Sequence, residues 1–161
     1  MTTVEKKLNL LLELALAEDE ESRAKIRKTI ASQFVPSTGR ENQDAAIRRS
    51  VESMCLRLGV PCHILGRAYL MTGLAMVVKN YDLVYDITKG FYTTVAGYHG
   101  TTASRVERAI RHAIEVTWTR ADPDVLAEVF GNTIAADKGK PTNSEFVARV
   151  ALTIRDELGI Q

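Results

Sequence analysis

An all-α fold is what this sequence predicts, and three observations predict it. Apolar residues recur at helical spacing through most of the 161 residues. Helix start and stop signals punctuate those runs. No stretch sustains the strict apolar–polar alternation of a strand. A hydrophobic fraction of 45% with 25% charged residues belongs to a core-forming chain. Disorder, collagen-like repeats and a disulfide scaffold are thereby excluded.

Taken in order, the elements divide the chain into three parts. Residues 1–34 form a helical segment: Val4, Leu8, Leu11 and Ala15 share one helical stripe, and Ile26, Ile30 and Phe34 share another. The acidic cluster Glu18 to Glu21 between them marks either a break into two helices or one helix with a charged middle. Residues 35–43, with Pro36 and Gly39 among polar neighbours, have the composition of a linker. Residues 44–161 then read as one helical domain. Asp44 is the expected cap of a helix carrying Ile47, Val51, Met54 and Leu58, stopped by Gly59. A second helix covers about 63–79, and a third lies within 81–96 with Gly90 as a point of interruption. Thr101 or Thr102 caps the next, which runs to Trp118. Asp122 followed by Pro123 is a cap with proline at the first helical position; that short helix ends at Gly131. Thr142 and Glu145 make a capping box for the last helix, which ends at Gly159.

Several function classes find no support in the residues. The run Leu8 to Ala17 is interrupted by Glu13 and lacks a cleavage site, so it is not expected to be a signal peptide. No run of about 18 apolar residues is present, so no membrane association is expected and the compartment is the cytoplasm. Cys55 and Cys62 lack C-x-x-C spacing, and Cys62 beside His63 has no further ligands at suitable distance; no metal is expected. His63, His99 and His112 have no neighbouring nucleophile with an orienting carboxylate, and no phosphate-binding glycine loop occurs. The chain is therefore expected to be no enzyme and to need no cofactor. Net charge +1 taken alone argues against nucleic acid. That figure averages over parts with different compositions: residues 1–34 hold six basic and six acidic residues, while 101–118 hold three arginines and two glutamates.

Residues 95–113 have the grammar of a helix-turn-helix. Ala96 is a small residue four positions before the turn glycine Gly100, a hydroxyl cap follows, and then β-branched Val106. On the second helix Val106, Ala109, Ile110, Ala113 and Thr117 gather on one side. Ser104, Arg108, Arg111 and Glu115 point the other way, with Arg105, Glu107 and His112 on the flanks. One face can bury while the other presents guanidinium forks, which bond two acceptors on guanine or grip phosphate. Glu107 fits such a face only by accepting from a cytosine amino group or by orienting an arginine. The competing reading is a solvated helix laced by pairs such as Glu107 with Arg111.

The stretch 101–118 closely resembles the recognition helix of the stage-zero-sporulation-A family of response regulators. Gly59-Val-Pro61, Arg67-Ala-Tyr-Leu70, Asp86-Ile-Thr-Lys89 and Lys140-Pro-Thr-Asn-Ser-Glu-Phe146 agree with it in the same order, so the resemblance extends from about Ala45 to the C-terminus. It implies a six-helix effector domain that sets the helix at 102–118 into the major groove of double-stranded DNA at a TGTCGAA-like box. By motif position, Arg105, Glu107 and Arg108 would read base edges, while Thr102, Ser104, Arg111 and His112 would hold the backbone. The family's head-to-tail pairs imply self-association on tandem sites, nucleoid association in a bacterial cytoplasm, and contact of the helix ending at Phe130 with the RNA polymerase sigma subunit. Val125 and Ala127 stand where that surface usually has small hydroxyl residues. Gly97, Tyr98 and His99 replace the basic and aromatic residues usual at the end of the first motif helix. His99 is expected either to be buried and neutral or to yield its place to Tyr98. The family's regulators carry a doubly wound phosphoacceptor receiver in front. Residues 1–43 are too few and too helical for one, so control by phosphorylation within them is not expected. The first function reading is therefore a sequence-specific transcription regulator. The alternative is a receiver-less interaction module that antagonises a full-length regulator.

Overall fold

The computed structural model describes residues 3–17, 19–34, 38–134 and 139–161. Among these residues the regular structure is helical, and the chain divides into two compact units, residues 1–44 and 45–161. Of the two readings of the acidic cluster, the break into two helices is the one observed: α1 spans Thr3–Leu16 and α2 spans Glu20–Phe34. Asp19 opens α2 by accepting the Ser22 N–H at 2.6 Å, which also holds its carboxyl below the usual range. The two helices pack on one another.

α3 spans Thr38–Arg57, so the helix begins six residues before the expected cap at Asp44. Residues 38–43 of the expected linker are helical, and 35–37 lie outside the described residues. Propagation explains the difference. With Ile47, Val51 and Met54 locked in the core, each further residue adds one hydrogen bond without a new nucleus. The cost of about 1 kcal/mol for Gly39 is offset along the way. Gly59 ends the helical region at φ +70.

Six α-helices, α3 to α8, build the second unit. α4 spans Leu65–Lys79 and packs against both α6 (Ala103–Arg120) and α8 (Asn143–Leu158). At its start, buried Arg67 donates to the Val60 carbonyl at 2.8 Å and ties down the preceding turn. Leu70, Leu74, Ile110, Ile114, Phe146 and Ile154 meet in the core. The stretch expected as one interrupted helix resolves into three pieces. These are a 3₁₀ turn at Tyr81–Val84, a π-helical turn at Ile87–Phe91, and α5 at Tyr92–Tyr98. The Asp86 carbonyl accepts from both Gly90 and Phe91, at 2.9 and 3.0 Å, which widens the turn.

The last two helices carry the caps their sequence announces. Asp122 accepts from the Asp124 N–H at 2.8 Å, with Pro123 opening α7 (Pro123–Phe130). At α8 the Glu145 N–H donates to Thr142 Oγ1 at 3.2 Å, and the Thr142 N–H donates to Glu145 Oε2 at 2.8 Å. Arginines of α8 satisfy carbonyls in the final turns of other helices: Arg149 bonds Val129 and Arg155 bonds Val78, each at 2.6 Å.

Candidate nucleic-acid interface

α5, a tight turn and α6 form the helix-turn-helix. The turn closes through the Thr101 N–H onto the Ala96 carbonyl at 3.0 Å, and Gly100 takes φ +59, where a side chain is disfavoured. Thr102 is the cap of α6; its Oγ1 accepts from the Arg105 N–H at 3.3 Å. Thr102 hydroxyl therefore orients the first turn of the helix, beside its expected place at the DNA backbone.

Val106, Ile110, Ala113 and Thr117 are buried on one face of α6, as their spacing predicts; Ala109, expected with them, is half-buried, and Ile114, which the reading left out, is buried. Closest approach to α4 is made by Gly66, where an added Cβ would sit 2.1 Å from the Ala109 carbonyl oxygen. Sequence reading assigned the small-residue contact to Ala96 and missed Gly66, because its position in α4 carries no local signal of what crosses there. The Thr117 hydroxyl is buried with no hydrogen-bond partner among the described residues.

On the opposite arc Ser104, Arg105, Arg108, Arg111 and His112 are exposed. Among the described residues no ion pair engages Arg105 or Arg108, so both forks are available to a ligand. Two other cations on this side are partly neutralised. Arg111 pairs with Glu107 one helical turn before it, and Lys140 bonds Glu115 at 2.5 Å. The Lys140 bond holds the Glu115 carboxyl below its usual range. Glu107 is half-buried, and its main-chain carbonyl accepts from Asn143 Nδ2 at 3.1 Å. The same amide donates to Tyr92 Oη at 2.9 Å, joining the start of α8, the start of α5 and the recognition helix at one point. Asn143 is a site residue that sequence reading missed: its place just after the cap absorbed it into the capping pattern. Beside it a groove of about 810 Å³, rimmed by Ser104, Arg111 and Lys140, runs along α6.

Two expectations change. Phe130 is 1% exposed, packed against Trp118 and Phe146 with ring centroids at 5.1 and 5.3 Å. Its side chain is part of the core and offers a partner no surface. The apolar residue closing a short helix was the best thing available to fill the space beneath α6 and α8. Nor is His99 buried, and Tyr98 does not take its place. His99 is exposed, its Nε2 lies 2.9 Å from Thr72 Oγ1, and its ring meets Tyr69 edge-on, while Tyr98 is 75% exposed. Trp118 is held at both ends of its indole, by the ring of Phe130 and by Nε1, which donates to the Gly139 carbonyl at 2.6 Å.

With this geometry in place, the match to known families becomes decisive. The model of the family described as "Sporulation initiation factor Spo0A C terminal" matches residues 51–154. The chain belongs to that family. The match spans the end of α3, all of α4 to α7 and most of α8, hence the whole helix-turn-helix. Membership makes this a sporulation-type DNA-binding regulatory domain, and double-stranded DNA its partner. Ahead of the match, the described residues hold α1, α2 and the first part of α3, and no strand. No described helix is long and apolar enough to cross a membrane.

Proposed function

We propose that this chain regulates transcription by reading a TGTCGAA-like box through the major groove with α6. The observation that carries this reading is the pair of exposed guanidinium groups, without an ion pair among the described residues, on one arc of a helix whose other face is locked into the core. Arg105 and Arg108 take base edges, most favourably the two acceptors of guanine. Glu107 reads beside them, either by accepting from a cytosine amino group or by orienting Arg111, and its pairing with Arg111 supports the second role. Thr102, Ser104, Arg111 and His112 hold phosphates and fix the register. Copies of the chain occupy tandem boxes side by side. Contact with the polymerase sigma subunit belongs to the exposed residues of α7, Pro123, Asp124, Ala127 and Glu128, rather than to Phe130.

A mobility-shift titration on a TGTCGAA-type duplex and on a scrambled duplex of equal composition tests the reading. Specific sites are commonly bound at least about a thousandfold tighter than non-specific DNA. Equal affinity for the two duplexes refutes base reading by α6.

A further inference from the structure

Burial in the first 44 residues does not close on itself. Among the residues of this unit whose exposure is described, which include 8–17 and 19–30, none is buried; the buried residues begin at Ile47. A unit of 44 residues lies close to the size, about 40 residues, below which a chain usually needs association, metal or disulfide to complete its core. α1 shows where the missing cover belongs, because it is apolar on two sides. Leu10 and Leu14 are half-buried. At about 100° per residue, Leu8, Leu12 and Leu16 fall on the opposite side, with Leu11 and Ala15 bridging the two. There Leu8 is 58%, Leu12 52% and Leu16 77% exposed. Lys6, Asn9 and Glu13 form the polar wedge between the two sides. A solvent-facing helix needs one apolar stripe, and α1 has a second.

From this face we infer that α1 pairs antiparallel with α1 of a second copy, building a four-helix assembly from two α1–α2 hairpins. The stripe is self-complementary. Leu8 and Leu16 each lie four positions from Leu12, so a two-fold axis at Leu12 sets Leu8 of one copy against Leu16 of the other. Such an isologous contact closes as a dimer and leaves no open end. Charge selects the direction. The start of α1 carries Lys6 and Lys7 beside Glu5 and so is net positive, whereas residues 18–21 just past its end are all acidic, Glu20 and Glu21 being paired with Arg27 and Lys25 of α2. Antiparallel helices bring basic ends to acidic ends, whereas parallel helices stack like on like. This inference deepens the self-association proposed above and rests on that reading for its consequence, the delivery of two effector domains to tandem boxes.

Sedimentation equilibrium of the full chain at micromolar concentration, without DNA and in a Cys62→Ser background, tests the pairing separately from DNA reading. The expected result is a dimer that becomes a monomer on the double substitution Leu8→Glu, Leu12→Glu. That variant keeps the thermal transition of the effector domain and its single-box mobility shift, and loses preferential binding to tandem boxes. Oxidation of a Leu8→Cys chain mixed with a Leu16→Cys chain should yield mainly the mixed disulfide. A monomeric parent chain overturns the inference, and slow alkylation of a Leu12→Cys thiol in that monomer would assign the face to docking within the chain instead. A dimer that survives both glutamates, or a preponderance of same-position disulfides, overturns it as well. Loss of box discrimination with the dimer intact would count against the DNA reading alone.

Discussion

Arg108 and Arg111 lie three positions apart on one arc of α6, yet they should behave differently when removed. Arg108 has no ion pair among the described residues and projects from the centre of the exposed arc. Arg108→Ala should cost about 1–3 kcal/mol on the cognate box and relax discrimination at one base pair. Arg111 already shares its charge with Glu107. Arg111→Ala should weaken all sequences about equally and lower the salt slope, log affinity against log salt, by about 1. Affinities on a panel of single-base variants at several salt concentrations separate the two; a specificity change from Arg111→Ala would reassign it as a base reader. A second residue-scale prediction concerns Thr117, whose hydroxyl is buried without a partner among the described residues. An unsatisfied buried polar group costs on the order of 1–3 kcal/mol. Thr117→Val keeps the shape and should raise the unfolding free energy by about 1 kcal/mol in urea titration, with DNA affinity unchanged. A destabilised variant would mean that the hydroxyl has a partner in solution.

Among elements, the placement of α6 against α4 decides where the arginines point. Gly66 permits that crossing, since a Cβ there would meet the Ala109 carbonyl at 2.1 Å and Ala113 Cβ at 2.8 Å. Neither neighbour is the far end of a flexible side chain, so Gly66→Ala must shift one helix. It should lower stability by about 1–3 kcal/mol through overpacking and weaken DNA binding beyond the loss of folded protein. Gly97 is the control with the opposite sign: a Cβ there meets nothing within 4 Å, and the residue is helical and exposed. Gly97→Ala should stabilise by up to about 1 kcal/mol, as measured by thermal unfolding. The contrast shows what the sequence could and could not disclose. Periodicity and caps are local, so the helical class, the Thr142–Glu145 box, the buried face of α6 and its outward arginines were all legible. Contacts between distant positions were not. Gly66 against Ala109, Asn143 against Glu107, and Phe130 beneath Trp118 each depend on which helices cross, and no residue-level pattern announces that. The helix start failed for a related reason. Gly39 and its polar neighbours look like a linker by composition, but a packed helix downstream can draw such residues into its first turns.

At the scale of the whole molecule, net charge +1 conceals an uneven layout in which a few free cations on α6 face outward while others are paired. A domain that neutralises few phosphates binds one box with modest affinity, and its affinity falls with salt by about 0.9 in slope for each phosphate neutralised. Joining two such domains converts the second binding event into an intramolecular one and can add a factor of about 10²–10⁴ without any new contact to DNA. Residues 38–161 keep the complete α3 and every buried hydrophobic side chain of the described chain, so this fragment should fold and read a single box. The full chain and the fragment should therefore have nearly equal affinity for one box, while the full chain binds tandem boxes at least about a hundredfold more tightly than the fragment does. Mobility shifts on one-box and two-box duplexes at matched salt measure both quantities. Tighter single-box binding by the fragment would instead make α1 and α2 an inhibitory segment. Equal tandem affinity would leave them no part in binding, because an advantage confined to the second box is what physical linkage of two readers must produce.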